Sequence, residues 1–185
     1  MFVLSPWIVV IAVAIRRTMG KPVLFRQMRP GLHGKSFVLY KFRTMNEART
    51  VDGVLLHDKD RLTKFGLFLR RRSLDELPQL FNVLKGDMSM VGPRPLLIEY
   101  LRRYTNGQHH RHDVKPGITG WAQINGRQNL KLSERILLDV WYSEHVSFIL
   151  DFHILIRSFH VILSGAGVQP GQGPRTLDDL MSADK

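Results

Sequence analysis

Asp75 and Glu76 are adjacent carboxylates that follow Arg70, Arg71 and Arg72 by three residues and precede Pro78 by two. Proline is tolerated in the first turn of a helix, where its missing N–H costs nothing, so the spacing predicts a helix over residues 77–84 with Asp75 as its N-cap. Ser73 is the alternative cap, with Glu76 closing a capping box. Either register sets two acids at a helix N-terminus beside three arginines, and both the helix dipole and the arginines favour an ionised carboxylate. Such a group can serve as a nucleophile or a metal ligand. Neighbouring helical side chains point about 100° apart, so the two acids can take different tasks. The plainer reading leaves Asp75 as a cap and the arginines as a solvated face.

Three further patterns could carry chemistry. In Gly92-Pro93-Arg94-Pro95, two prolines fix the backbone on both sides of one arginine, which lowers the entropy lost when a guanidinium grips a phosphate. The run His109-His110-Arg111-His112-Asp113 has metal-ligand residue types, but the arginine among them disfavours a cation. Asp87, Glu99, Asp139, Glu144 and Asp151 are scattered acids whose default role is salt bridging. The chain contains no cysteine, which removes thiolate metal sites, iron–sulfur clusters, disulfide scaffolds and cysteine nucleophiles.

The elements that must hold these residues follow from the hydropathy pattern. At 185 residues, 44% of them hydrophobic, one folded domain is expected. The net charge of +11 calls for an anionic partner, and its distribution points to a membrane surface. Residues 1–15 carry no charge, and Arg16, Arg17, Lys21, Arg26 and Arg29 form a basic collar after them. With Ser5 as N-cap and Pro6 at the first helical position, the apolar helix runs over residues 6–15, too short to cross a bilayer. It reads as a half-inserted, re-entrant segment whose collar marks the cytoplasmic face; a buried core helix is the competing reading.

Residues 21–45 alternate and break like a hairpin with Pro30-Gly31 and His33-Gly34 in the turn. Helices are expected over residues 61–72, 77–84 and 96–104, the second ended by Lys85-Gly86 and the last by Asn106-Gly107. Residues 109–127 read as an irregular loop with an extended piece at 121–124. Residues 132–142 and 148–163 read as two more helices, the second apolar on nearly every side. The fold class is α/β: a small mixed domain with a short hairpin and several helices. Residues 1–20 are expected to form the membrane segment, 21–168 the folded domain and 169–185 a flexible tail.

The run from Ser73 to Ser89, joined to Gly92-Pro93-Arg94-Pro95, closely resembles the bacterial sugar transferase family, the monotopic polyprenyl-phosphate phosphoglycosyl transferases. The likeness extends through Arg29-Pro30-Gly31, residues 40–45 and 61–66, and the long run 110–127, and it is strongest to the small, PglC-like members. It implies that Asp75 attacks the β-phosphorus of a UDP-sugar, releases UMP and forms a covalent phosphosugar, which undecaprenyl phosphate then takes. It implies that Glu76 helps to hold Mg²⁺, and that Arg70, Arg94, Arg127, Pro93 and Lys41 contact substrate. The implied setting is the cytoplasmic face of the bacterial inner membrane, with membrane lipid and a homodimer among the partners, no nucleic acid, and a role in initiating glycoconjugate biosynthesis. Likeness to the PglC-like members suggests UDP-N,N′-diacetylbacillosamine or a similar N-acetylated, 6-deoxy sugar, with UDP-galactose or UDP-glucose as the alternative. The family's re-entrant helix breaks at a Ser-Pro pair, matched by Ser5-Pro6, but only residues 1–4 precede it, so the expected membrane segment is truncated to its second half. The rival reading is a non-catalytic basic protein that binds nucleic acid or anionic lipid; no recognised nucleic-acid module supports it.

Overall fold

The computed structural model describes residues 5–126 and 129–164. The chain opens with α1 (Ser5–Met19), which starts at the Ser5-Pro6 pair and runs four residues past the expected end, about 22 Å in all. Its extension has a tertiary cause. The buried Arg43 guanidinium donates to the Met19 and Lys21 carbonyls, satisfying acceptors that a helix end otherwise leaves open. One stripe of α1, Ile11 and Ile15, packs against Phe42 and Leu69, while Trp7, Val9, Val10 and Val13 on other faces are exposed. Part of this helix is therefore core, and part is an apolar surface. No helix among the described residues is long and apolar enough to cross a membrane.

The expected hairpin is β1 (Leu24–Pro30) against β2 (Ser36–Phe42), antiparallel, with Leu24 opposite Phe42 and Pro30 opposite Ser36. Period-two alternation puts Phe37, Leu39 and Lys41 on one face, and the first two of these are buried with Met88. The face that supplies core at one end thus presents a cation at the other.

The next segment is shorter in its helices than its periodicity suggests. A single turn, α2 (Asp58–Arg61), is separated from α3 (Lys64–Arg71), because Leu62 bridges to Met45 and the Thr63 hydroxyl accepts from Gly66 N at 2.9 Å to begin the new helix. Gly66 is required by close approach: a Cβ there would lie 1.9 Å from the Thr44 carbonyl oxygen. A 3-10 turn at Leu74–Glu76 then leads into α4 (Gln79–Lys85), which ends at Gly86 with φ of 82° as the Lys85-Gly86 signal predicts.

Neither proposed cap is found at this junction. Asp75 lies inside the 3-10 turn, Ser73 is left-handed with φ of 53°, and neither side chain caps a helix. The cause lies in α4's own anchoring: the fully buried Asn82 accepts from Tyr40 N and donates to Val38 O, serving the open edge of β2 as a surrogate strand.

Beyond α4, β3 (Ser89–Val91) pairs in parallel with β4 (Gly117–Thr119). Residues 96–104 do not form the expected α-helix; Ile98–Arg103 is 3-10, burying Tyr100 against Leu132 and Ile136. Asn106-Gly107 starts a helix instead of ending one, because Thr105 and Gln108 close a capping box on α5 (Asn106–His109). The stretch expected to be irregular is ordered as a 3-10 turn at His110–His112, strand β4, and α6 (Trp121–Ile124), which is helical where an extended piece was expected. Helices α7 (Leu132–Glu144) and α8 (Phe148–Ser164) match their predicted positions. The described residues form a small mixed domain with two two-stranded sheets and four modest apolar clusters. The expected tail, residues 169–185, lies outside the described residues, as do residues 1–4, the part of the expected membrane segment that precedes the Ser5-Pro6 break.

Candidate active site

Four backbone segments converge on the acid pair. Lys41 comes from β2, Arg70 from the last turn of α3, Asp75 and Glu76 from the 3-10 turn, and Arg94 from the segment after β3. Glu76 Oε1 accepts from Lys41 Nζ at 2.9 Å and from Arg94 Nη2 at 2.5 Å. Arg70 is held from behind, its Nε donating to Thr44 Oγ1 at 3.0 Å. Gly66 permits this contact by letting α3 lie directly on the Thr44 backbone.

The two acids have opposite electrostatics. Burial alone would raise the Glu76 carboxyl, but Arg94 and Lys41 outweigh it and hold the group well below the ordinary glutamate range. Asp75 is 8% exposed and makes no hydrogen bond or ion pair with any described residue. Burial and the neighbouring Glu76 charge push its carboxyl upward, against the pull of Lys41, Arg70 and Arg94. The site therefore contains one carboxylate locked between cations and one that is uncommitted and unusually basic. A basic, desolvated carboxylate facing a cationic field suits attack on an anionic electrophile, since the cations can carry the charge that develops there.

Arg94 is aimed by its backbone. Gly92 N donates to Thr119 O, and a Cβ on Gly92 would lie 2.3 Å from the Lys115 carbonyl oxygen, so β3 and β4 approach more closely there than another residue allows. Pro93 is buried, with its carbonyl accepting from Gly117 N at 3.0 Å, which ties the loop to the start of β4. Arg127 lies outside the described residues.

Two site residues had no signal of their own in the sequence. Arg111, from the histidine run, and Asp139, from α7, form an ion pair at 2.6 Å with side chains 1% and 3% exposed. Arg111 Nη2 also donates to the Arg94 carbonyl at 2.7 Å. The salt-bridge role expected for Asp139 holds, but its burial and its partner follow only from the fold. Asp151 bonds the Tyr142 hydroxyl at 2.7 Å, where a salt bridge was expected. Arg29, read as collar and as part of the Arg29-Pro30-Gly31 likeness, is partly buried and lowered to about 10 by burial and by the Arg94 charge.

The histidines separate into different roles. His110 Nδ1 meets Asp113 Oδ2 at 2.8 Å on the surface, whereas buried His112 donates from Nδ1 to Gly31 O at 3.2 Å. Burial and the adjacent Arg111 push His112 down to about 4. Among the described residues, no group of three or more histidines and acids is arranged to hold a metal ion.

Comparison with known proteins adds a second line of argument. The family model for bacterial sugar transferases matches residues 1–165. The chain is 57% identical over 155 residues to the uncharacterised sugar transferase EpsL of Bacillus subtilis, covering 84% of this chain and 77% of EpsL. It is 44% identical over 165 residues to the UDP-glucose:undecaprenyl-phosphate glucose-1-phosphate transferase of Xanthomonas campestris, covering 83% of this chain and 34% of that protein. It is 40% identical over 165 residues to the undecaprenyl-phosphate galactose phosphotransferase of Salmonella typhimurium, covering 80% and 35%. The chain thus spans about three-quarters of the Bacillus relative and about a third of the two longer ones.

Proposed function

The chain belongs to the bacterial sugar transferase family, and from that premise we propose that it moves a sugar 1-phosphate from a UDP-sugar to undecaprenyl phosphate, with Asp75 as the nucleophile. The observation that carries this reading is the unequal commitment of the acid pair: Glu76 is fixed by Lys41 and Arg94, and Asp75 is buried without a bonding partner among the described residues. In the first half-reaction an Asp75 carboxylate oxygen forms a bond to the β-phosphorus. The bond from that phosphorus to the bridging oxygen breaks, and its electron pair leaves with UMP. In the second, a phosphate oxygen of undecaprenyl phosphate attacks the same phosphorus, the acyl phosphate bond breaks, and the Asp75 carboxylate is restored. Arg70 and Arg94 border the space where this charge moves and are its stabilisers.

Glu76 would hold the Mg²⁺ ion through Oε2, the oxygen not engaged by Lys41 or Arg94 among the described residues. The donor chemistry fits, because Mg²⁺ is commonly held by one or two carboxylates together with substrate phosphates and water. When bound, it would offset the diphosphate charge and the charge of the leaving UMP.

On this reading the donor is UDP-glucose or UDP-galactose, which the names of the glucose and galactose relatives support and which replaces UDP-N,N′-diacetylbacillosamine as the expected sugar. A lipid acceptor requires a membrane-facing surface. Trp7, Val9 and Val10 of α1 and Phe148, Ile149, Phe152 and Phe159 of α8 are exposed apolar side chains that would serve it, with Arg16 and Arg17 closing α1 toward the headgroups. On this reading the enzyme lies monotopically on the cytoplasmic face of the inner membrane.

The test is UMP release with Mg²⁺, undecaprenyl phosphate and each of the three UDP-sugars, for wild type, Asp75→Asn and Glu76→Gln. Wild type is expected to release UMP with glucose or galactose donors, and both variants to lose it. Full turnover by Asp75→Asn would rule out the covalent route.

A further inference from the structure

The acid pair and its cations account for the chemistry, yet they do not account for the fully buried ion pair behind them. Arg111 and Asp139 make a poor stabilising element. Among the described residues Arg111 Nε and Asp139 Oδ1 have no hydrogen-bond partner, and burial penalises the charge on both groups. A buried ion pair that is incompletely bonded is often no more stable than an apolar pair of similar volume. What this pair supplies is a donor fixed in space. Asp139 Oδ2 holds Arg111 Nη2 at 2.6 Å, the same nitrogen donates to the Arg94 carbonyl at 2.7 Å, and Arg94 Nη2 in turn meets Glu76 at 2.5 Å. Tyr104 steadies the guanidinium from the other side, its hydroxyl 3.4 Å from Arg111 Nη1 and its ring 5.8 Å from the guanidinium carbon.

We infer that Arg111 and Asp139 are positioning residues whose buried ion pair aims Arg94 at the phosphate-transfer site. Pro93 and Pro95 limit the torsions on either side of Arg94, and Arg111 supplies the one hydrogen bond that its carbonyl accepts among the described residues. Helix α7 thereby reaches Arg94 through Arg111. In functional terms the inference rests on the reading that Arg94 stabilises phosphate transfer; in structural terms it stands without it.

The experiment uses the full chain and four backgrounds: wild type, Asp139→Asn, Arg111→Lys, and the double replacement Arg111→Met with Asp139→Leu. Each is made with and without Arg94→Ala. Thermal melting reports folding, nitrogen-15 NMR of the Arg94 guanidinium reports its rotation, and UMP release with UDP-glucose and UDP-galactose reports kcat/KM. In wild type the bond to Glu76 restricts guanidinium rotation. The double replacement is expected to keep its melting transition, free the guanidinium and lower kcat/KM by on the order of tenfold to hundredfold. Adding Arg94→Ala should then cost little more, because both changes remove one contribution. An Arg94 guanidinium that stays restricted in the folded variants, or losses that multiply when Arg94→Ala is added, would overturn the inference. Should the double replacement not fold, Asp139→Asn and Arg111→Lys carry the same comparison with volume nearly conserved. If wild type releases no UMP from either sugar, the reaction reading fails while the NMR signal still decides the positioning.

Discussion

Replacing Asp75 by asparagine should abolish turnover and stabilise the fold at the same time. The change is nearly isosteric at a site 8% exposed, so packing is conserved and the consequences are electrostatic. For turnover, removal of a nucleophile costs on the order of 10⁴-fold or more. For stability, the structure sets a balance: burial and the Glu76 charge disfavour ionised Asp75, and Lys41, Arg70 and Arg94 favour it. The first pair prevails, so the folded-state value lies above the unfolded one. The native state then holds a proton that the unfolded chain has already released, and the stability contributed by protonated Asp75 is lost as pH rises through the folded value. Above that value the wild type bears the full cost and the asparagine variant does not. The expected gain is on the order of 1 kcal/mol, or about 2–4 °C in Tm for a domain of this size. It should grow as the pH rises toward the folded value and fade as the pH falls into the ordinary aspartate range. Differential scanning calorimetry of both proteins from pH 4 to 8 measures it. A variant less stable than wild type at pH 8, or a gain that grows on acidification, would refute the electrostatic account of this site.

Three further outcomes are expected. Gly66→Ala places a methyl group 1.9 Å from the Thr44 oxygen, so α3 must shift; a loss of about 2–4 kcal/mol in denaturant unfolding should come with reduced kcat/KM, because Arg70 hangs on Thr44. A melting transition equal to wild type would contradict the close approach. Arg43→Ala leaves the Met19 and Lys21 carbonyls without their buried donor and should release the end of α1, seen as faster amide exchange at residues 15–19 with the α7 amides unchanged. Chelation of divalent ions with EDTA should stop UMP release and added Mg²⁺ should restore it; turnover that persists in EDTA would remove the metal role from Glu76.

Local chemistry made much of this protein legible from its sequence. Alternation over residues 21–45 marked the hairpin, Lys85-Gly86 marked the end of α4, and apolar periodicity marked α7 and α8, because each signal acts within one or two turns of chain. The acid pair was visible for the same reason, as residue types set beside arginines. The errors came where distant contacts outweighed local preference. Asp75 is an acceptable N-cap in isolation, yet α4 begins later, where Asn82 can reach β2. Residues 121–124 form a helical turn because Trp121 stacks on Trp141 of α7 with centroids 5.0 Å apart. Residues 98–103 are wound as a 3-10 helix with Tyr100 in the core of Leu132 and Ile136.

The sequence by itself determined which groups can do chemistry here: carboxylates beside a surplus of fixed cations, no thiol, and a proline-flanked arginine. The tertiary structure decided how the work is divided. Glu76 and Asp75 are adjacent acids whose different states cannot be read from their own positions. Lys41 lies 35 residues before Glu76 and Arg94 lies 18 after it, and both reach the same oxygen of Glu76. The Arg111–Asp139 pair behind Arg94 spans a further 28 residues. Charge interactions depend on distance and burial, and for residues so far apart in the chain only the packed fold sets either one.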